Sequence, residues 1–245
     1  MRALVVGASA GVGRAIAAEL AGRGAALVVA ARSYEALDDL AGELRDGHGV
    51  EVTVLPLDLT GPDAELRAFL DEATAVLGRI DVAILTAGAV SDDDDGIGDW
   101  ERTEDLVAVN FLAPLKLGGA LVGQFEDQGG GTLVLFSSIA AAAPRRRNVA
   151  YAAAKAGLES FGRSMRHRTA GTPVDVQVYA LGYVDTAMTS DLDLKLPVAD
   201  PGRVAELVVR RLDQGSSFRY LPRPWGLVVR VLRWLPAPIY DRLRF

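Results

Sequence analysis

The side chains best suited to chemistry are Tyr151 and Lys155, four residues apart, with Ser138 thirteen residues before the tyrosine. On a helix, positions i and i+4 share a face, so the phenol and the ammonium group would point into the same space. A nearby cation lowers a tyrosine pKa from its usual value of about 10, which makes the phenol a usable proton donor. Alone, the pair also fits a surface tyrosine beside a solvated lysine.

A glycine-rich segment near the N terminus gives this pair a context. An apolar run that begins at residue 2 or 3 predicts a buried parallel strand, and an apolar helical pattern follows the glycines. Glycines there permit a tight turn and close approach of the backbone to a pyrophosphate at a helix N terminus. The predicted dinucleotide-binding residues of this segment are Gly7, Ser9, Gly11, Val12 and Gly13.

Strand-like and helical segments alternate along the chain. Further strands are predicted at Ala26–Ala30, Val52–Leu57, Val82–Leu85, Thr132–Phe136, Val174–Tyr179 and Phe218–Leu221. Helices are predicted near 34–46, 62–77, 100–126, 148–169 and 201–213. This alternation indicates an α/β fold: a Rossmann-type, doubly wound parallel sheet of about seven strands with helices on both faces. We expect one domain over residues 1–245, in which residues 223–245 form an apolar and basic tail.

Composition narrows the class of protein. The chain has 245 residues, of which half are apolar, with a net charge of −6 and no cysteine. It lacks the basic excess of nucleic-acid-binding proteins, and disulfide or thiolate chemistry is not available to it. We find neither a signal-peptide pattern nor an apolar stretch of the ~20 residues that span a membrane, so we expect a cytoplasmic protein.

The run Asp92–Asp95 is the longest block of like charge in the sequence. Adjacent carboxylates repel each other and lack the ligand spacing of a calcium loop. We therefore predict that the run tips a solvated loop before the helix near 100–126, and we expect no metal site.

The spacing Gly-x3-Gly-x-Gly, with Asn110, Ser138, Tyr151 and Lys155, resembles the short-chain dehydrogenase/reductase family from Met1 to about Thr189. The resemblance implies an oxidoreductase that reduces a ketone to a secondary alcohol by hydride transfer. Ser138 would hold the carbonyl oxygen, Tyr151 would donate the proton, and Lys155 would bind the nicotinamide ribose and lower the tyrosine pKa. Asn110 would stabilise a kinked helix and a relay water, although a buried asparagine also needs partners for structural reasons. The spacing favours Ser138 over Ser137.

The end of the second predicted strand bears on the choice of cofactor. Arg32 and Ser33 follow that strand, and no carboxylate stands there to bind a ribose 2′-hydroxyl group. Arg32 could pair with a 2′-phosphate and Ser33 could add a hydrogen bond, which favours NADP(H) over NAD(H). Asp58, followed by Leu59, matches the family residue that receives the adenine amino group. Its alternative role is that of a buried acid capping the next helix.

Other matches and departures concern the loops around the cofactor. Ala87 and Gly88 follow Thr86 where the family usually has asparagine, and Leu181-Gly182 replaces the usual Pro-Gly. Val184 and Thr186 match the segment near the nicotinamide carboxamide, although Thr186 could equally cap a short helix. None of these departures removes a reacting group.

Two segments bear on the substrate. The loop Pro144-Arg145-Arg146-Arg147-Asn148 is either solvated or in contact with an anionic group. The tail has a predicted apolar stripe at Trp225, Val228, Leu232 and Leu235, with arginines off it. It could lie in a membrane interface, or pack on the body, on a partner subunit or over the substrate cleft.

These segments leave several functions open. Together they resemble reductases of polyprenyl-phosphate-linked keto sugars, and tails of this kind also suit other apolar ketones. A non-catalytic NADP-binding regulator is the rival class, although such proteins tend to lose the tyrosine or the lysine. The family resemblance further implies a homodimer or homotetramer through the helices near 100–126 and 148–169. Substrate preference would be encoded around Ala187–Pro201.

Overall fold

The computed structural model describes residues 1–91, 94–95, 98–186 and 198–242. The strands are β1 (Arg2–Val6), β2 (Ala26–Ala30), β3 (Val52–Val54), β4 (Val82–Leu85), β5 (Gly131–Ser138), β6 (Val174–Leu181) and β7 (Ser217–Leu221). The α-helices are α1 (Gly11–Ala21), α2 (Tyr34–His48), α3 (Asp63–Leu77), α4 (Trp100–Val107), α5 (Ala113–Asp127), α6 (Val149–Arg168), α7 (Pro201–Val209), α8 (Pro224–Trp234) and α9 (Ala237–Tyr240). A π-helical turn, Ala108–Leu112, joins α4 to α5, and the 3₁₀ turn Ile139–Ala141 follows β5.

The strands form one parallel sheet in the order β3-β2-β1-β4-β5-β6-β7. From β1 the chain moves outward to β2 and β3, then returns to add β4 on the other side of β1. The point where the strand order reverses therefore lies between β1 and β4, and in open parallel sheets the crevice at such a point is where ligands bind. The predicted seven-stranded Rossmann-type sheet is confirmed.

Each face of the sheet buries its own apolar core. Helices α1, α2 and α7 cover one face, with Ile16, Leu40 and Val208 among the buried side chains. Helices α3, α5 and α6 cover the other face, where Phe125 and Leu158 are buried. Burial on both faces explains why the strands are continuous apolar runs rather than alternating ones.

Two predicted elements are shorter than expected. Strand β3 ends at Val54 instead of Leu57, although the N–H groups of Leu55 and Leu57 still donate to Val29 O and Ala31 O, both at 3.0 Å. Helix α7 ends at Val209 instead of 213, since the next turns close through tighter bonds such as Leu212 N–H to Val209 O, at 3.4 Å.

The predicted helix 100–126 is a helical run, Trp100–Asp127, with a π turn inside it. Contrary to the expectation from sequence, this run is long and apolar enough to cross a membrane by length and composition alone. Its residues Leu117, Leu121 and Phe125 are nevertheless buried in the protein core, which is the usual reason for such composition in a packed helix.

The tail packs on the body through one face of α8. Trp225 and Val229 are buried, whereas Val228 is exposed, so the predicted stripe was wrong by one position. The Trp225 indole lies against Gly182, where a side chain would collide with it, and meets the Tyr183 ring edge-on at 5.3 Å. The glycine of the Leu181-Gly182 pair therefore makes room for the tail.

Candidate active site

A cleft of about 1600 Å³ opens at the edge of the sheet where the strands end at their carboxyl termini. The predicted site residues that line it are Gly7, Ser9, Gly11, Val12, Gly13, Arg32, Ser33, Leu59, Ala87, Gly88, Ser138, Tyr151, Lys155, Val184 and Thr186. Asp58 and Asn110 do not line it. The predicted lid falls mostly on residues 187–197, which lie outside the described residues.

The glycine-rich loop is held close to the end of β4. Gly7 has a positive φ of 92°, and a side chain on it would collide with the backbone of Ala87. A side chain on Gly13 would collide with the carbonyl oxygen of Gly7. Thr86 donates its hydroxyl proton to Val6 O, at 2.9 Å, and lies 3.2 Å from Gly7 O. A threonine thus ties the two loops together at the position where the family usually has asparagine.

The residues after β2 and β3 differ in part from the prediction. Ser33 caps α2, with its hydroxyl oxygen accepting from Ala36 N–H at 3.2 Å, so its hydroxyl already has a structural role. Asp58 is exposed and accepts from the N–H and hydroxyl groups of Thr60 at 2.9 and 2.8 Å. Those bonds, followed by the charge of Arg32, lower the Asp58 pKa. The alternative role of Asp58 as a buried helix cap is wrong, because Asp58 only closes a local turn.

Ser138 and Tyr151 meet at the cleft wall. Burial raises the Tyr151 pKa, while a hydrogen bond with the Ser138 side chain and then the charge of Arg145 lower it. Contrary to the expectation, the Tyr151 pKa is raised, and the cation that acts on it is Arg145 rather than Lys155. The Lys155 ammonium nitrogen lies 5.8 Å from the centre of the Tyr151 ring.

Lys155 is buried without a carboxylate partner among the described residues. Its ammonium group donates to Phe136 O at 3.1 Å, and burial lowers its pKa to about 8. Ser137 is also buried, and its hydroxyl donates to Lys155 O at 3.2 Å. These two bonds join the end of β5 to α6. Ser137 and Ser138 both line the cleft, but the Ser137 hydroxyl is bonded to Lys155 O, whereas the Ser138 side chain is bonded to Tyr151.

Asn110 lies fully buried inside the π turn. Its side-chain amide donates to Ala89 O at 2.8 Å and to Leu106 O at 2.9 Å, while its oxygen accepts from Ala89 N–H at 3.3 Å. The side chain therefore has structural partners, as the alternative interpretation expected. It fixes the loop after β4 against the kinked helix, close to Lys155 and Gly88.

Sequence reasoning missed the residue that caps α6. Asn148 precedes the helix with a positive φ of 67° and makes no side-chain capping bond. Asp94 caps the helix instead. Its carboxylate accepts from the N–H groups of Ala150 and Tyr151, both at 2.9 Å, and its main-chain oxygen accepts from Val149 N–H at 3.1 Å. Asp94 is buried, so the prediction that the Asp92–Asp95 run forms a solvated loop is wrong for this residue.

The outer part of the cleft is formed by the arginine loop, by Tyr183 and by the tail. Arg145 donates to the hydroxyl oxygen of Tyr183 at 2.9 Å. Tyr240 in α9 donates its hydroxyl proton to Pro144 O at 2.5 Å, and both Tyr240 and Asp241 line the cleft. Of the alternatives for the tail, packing on the body and covering the cleft both apply. The apolar stripe of the tail, which includes Trp225, was the signal in the sequence for the packing of this segment.

We expect Asp94→Ala to destabilise the protein, because it leaves two buried N–H groups of α6 without acceptors. The free energy of unfolding should fall by about 1–3 kcal/mol in urea denaturation. Asp94→Asn, which keeps one acceptor oxygen, should lose roughly half as much. An Asp94→Ala variant as stable as the parent protein would contradict the capping role.

Lys155 predicts a specific dependence of stability on pH. Its pKa is about 8 in the folded chain, against 10.5 for an ordinary lysine, so between these values the unfolded chain binds more protons. The free energy of unfolding should therefore rise as pH increases from 8 towards 10, by at most about 3 kcal/mol. Urea denaturation at pH 7 and pH 9.5 measures this rise in the free energy of unfolding. Lys155→Met should lack the rise, and an equal rise in both proteins would refute the assignment.

Comparisons with known proteins agree with this geometry. The short chain dehydrogenase family model matches residues 1–196. An uncharacterized oxidoreductase of Streptomyces coelicolor is 35% identical over 244 residues, which cover 98% of this chain and 94% of the relative. The 3-oxoacyl-[acyl-carrier-protein] reductase of Escherichia coli is 32% identical over 190 residues, covering 78% of this chain and 76% of the relative.

A solved structure extends the likeness to the whole fold. The short-chain dehydrogenase from Sphingobium yanoikuyae in complex with NADPH superposes with a TM-score of 0.82 at 26% sequence identity, covering 99% of this chain and 96% of that chain. Family model, relatives and fold point the same way, and the chain belongs to the short-chain dehydrogenase/reductase family of oxidoreductases.

Proposed function

We propose that the protein is an NADP(H)-dependent ketoreductase that reduces a ketone to a secondary alcohol. The observation that carries this proposal is the convergence of Ser138, Tyr151 and Lys155 on the wall of one cleft with the glycine-rich loop. A non-catalytic regulator would have no need for a buried lysine in that position, because burying an ammonium group without a carboxylate is unfavourable.

The residues present fit a nicotinamide dinucleotide phosphate. The glycine-rich loop leads into the N terminus of α1, where a pyrophosphate could bind, and Arg32 lines the same cleft and could pair with a 2′-phosphate. Lys155 has hydrogen-bond donors to spare for ribose hydroxyl groups, since its one hydrogen bond among the described residues goes to Phe136 O. The NADPH complex of the Sphingobium relative supports the choice of NADP(H).

Bound in this cleft, the cofactor supplies a hydride. Ser138 holds the substrate carbonyl oxygen, and Tyr151 donates a proton to that oxygen as negative charge develops on it. The buried setting of the phenol keeps it protonated, so it acts as a donor, while its hydrogen bond with Ser138 aligns the two groups. Asp94 positions Tyr151 by fixing the first turn of α6. Asn110 holds the opposite loop near Lys155.

A specific observation favours a second candidate, the reduction of a lipid-linked keto sugar at a membrane surface. One face of α8 and α9 exposes apolar side chains: Leu227 is 66% exposed, Val231 55%, Trp234 84% and Ile239 51%. Arginines at 223, 230, 233 and 242 accompany them, against the single acid Asp241 within 223–242. An apolar face bordered by arginines suits a bilayer with anionic head groups.

Domain and subunit organisation remain predictions. We propose that residues 1–245 act as one dinucleotide-binding unit whose tail covers the substrate end of the cleft. The cytoplasm is the expected compartment. A homodimer or homotetramer is implied by the family resemblance.

The test of the main proposal is NADPH oxidation with a panel of ketones, run with the parent protein and Tyr151→Phe. We expect kcat to fall by about 100-fold or more in the variant, because it cannot donate the proton. NADPH should bind both proteins equally, and NADH should be the poorer reductant. Undiminished turnover by Tyr151→Phe would contradict the role of the phenol, and NADPH binding without turnover of any ketone would favour the regulator.

Flotation with phosphatidylglycerol-containing vesicles tests the second candidate. The parent protein should float with the vesicles, whereas the Leu227→Glu, Trp234→Glu double variant should stay at the bottom of the gradient. Trp100→Glu is the matched control, because Trp100 is 83% exposed on α4 and should not contribute. If the parent protein does not float, or the double variant floats equally well, the membrane candidate fails.

A further inference from the structure

The loop between β5 and α6 places three consecutive arginines in the wall of the cleft. Arg145 is half-buried, bonded to the Tyr183 hydroxyl, with its guanidinium 5.8 Å from the centre of the Tyr183 ring. Arg146 is exposed and donates to the main-chain oxygen of Asp241 at 3.4 Å. Arg147 is exposed and lies beside them on the cleft.

The charge of this cluster is not neutralised by the described part of the chain. No carboxylate there forms an ion pair with any of the three arginines. Other arginines of the protein do have such partners, for example Arg163 with Glu159 at 2.9 Å. This contrast is informative in a chain with a net charge of −6, where carboxylates outnumber basic groups. On the cleft wall these three cations outnumber the acid Asp241, which also lines it, and so create a local positive potential.

The tail also holds the start of the arginine loop in place. Tyr240 binds Pro144 O at the start of the loop, and Tyr183, which accepts from Arg145, is itself packed on Trp225. The tail therefore fixes the loop from two sides. Binding an anion to such a loop requires little further ordering, which favours affinity.

Arg145 lies on the substrate side of the cleft. Its charge reaches the Tyr151 phenol and lowers the pKa of that group against the effect of burial. Burial raises the pKa of Tyr240 at the cleft rim, and the charge of Arg145 lowers it. The phosphate-binding features, Arg32 and the glycine-rich loop, belong to the segments after β2 and β1 instead. A chemical group bound by Arg145 would therefore be part of the substrate that contacts Tyr151, not of the cofactor.

We propose that the carbonyl substrate carries an anionic group, a carboxylate or a phosphate, which binds to Arg145, Arg146 and Arg147 while its carbonyl oxygen meets Ser138 and Tyr151. This inference rests on the proposed ketoreductase function and assigns the substrate class. Guanidinium groups bind both kinds of anion through paired hydrogen bonds, so the two sources share one chemistry.

Matched substrate pairs test the proposal. We would compare kcat/KM for acetoacetate with methyl acetoacetate, 5-oxohexanoate with its methyl ester, and dihydroxyacetone phosphate with dihydroxyacetone. The anionic member of at least one pair should be preferred by about tenfold or more. The carboxylate pairs and the phosphate pair distinguish the two sources of the anion.

The variant Arg146→Gln, Arg147→Gln should reduce that preference by about tenfold, mainly through KM, since the lost contacts bind substrate without touching the carbonyl. Arg145→Lys keeps the positive charge but loses the paired geometry, and should reduce the preference less. The control is Arg67→Gln, on the exposed surface of α3, which should keep the preference of the parent protein.

A binding measurement separates failure of this inference from failure of the proposed function. Inorganic pyrophosphate would be titrated calorimetrically into NADP⁺-saturated protein, so that Arg32 and the glycine-rich loop are occupied. We expect binding that weakens at least tenfold in the Arg146→Gln, Arg147→Gln variant. Turnover of neutral ketones with no anion preference and no pyrophosphate binding would overturn the anion site and leave the ketoreductase intact. Pyrophosphate binding without any ketone turnover would instead count against the ketoreductase.

Discussion

A buried ammonium group joins the carboxyl end of β5 to helix α6. Lys155 donates to Phe136 O, and Ser137 donates back to Lys155 O, so strand and helix are fixed in one register. That register sets Ser138 and Tyr151 side by side at the cleft wall. The junction holds an ammonium group whose pKa burial lowers to about 8. In the proposed function its remaining hydrogen-bond donors bind the nicotinamide ribose. Burying this ammonium group reduces the stability of the fold, and the site needs the group in this position.

The same helix is completed by residues distant in sequence. Asp94, from the loop after β4, satisfies the first N–H groups of α6, and Asn110 fixes the neighbouring part of that loop. On the opposite side, Trp225 and Tyr240 of the tail fix Tyr183 and the arginine loop. The cofactor end of the cleft is thus built from the sheet and its glycine turns, whereas the substrate end is built from loops held by side chains.

The cofactor end could be predicted from sequence because its requirements are local. Glycines at 7 and 13 are dictated by close contact of two loops, and the i, i+4 spacing alone puts Tyr151 and Lys155 on one face. Which side chains become buried, in contrast, depends on residues that are distant in the sequence. The sequence placed a cation near Tyr151 but could not tell that Lys155 would sit 5.8 Å from its ring while Arg145 exerts the charge effect.

The remaining errors have the same origin. Asp94 caps a helix that begins more than fifty residues later, and no spacing rule connects the two. Asp58 is not the buried helix cap considered as its alternative role, because it is exposed and Thr60 holds its carboxylate in a local turn. In the tail, the predicted apolar stripe is correct at Trp225 and differs at one position, where Val229 rather than Val228 is buried.

The most direct test of the account is the fate of a labelled hydride. NADPH carrying deuterium on the transferred face of nicotinamide C4 would be incubated with the protein and the best ketone of the panel, and the alcohol examined by mass spectrometry and NMR. We predict one deuterium on the carbinol carbon and a solvent-derived proton on its oxygen. Alcohol without deuterium at that carbon, or with deuterium lost to water, would contradict hydride transfer in this cleft.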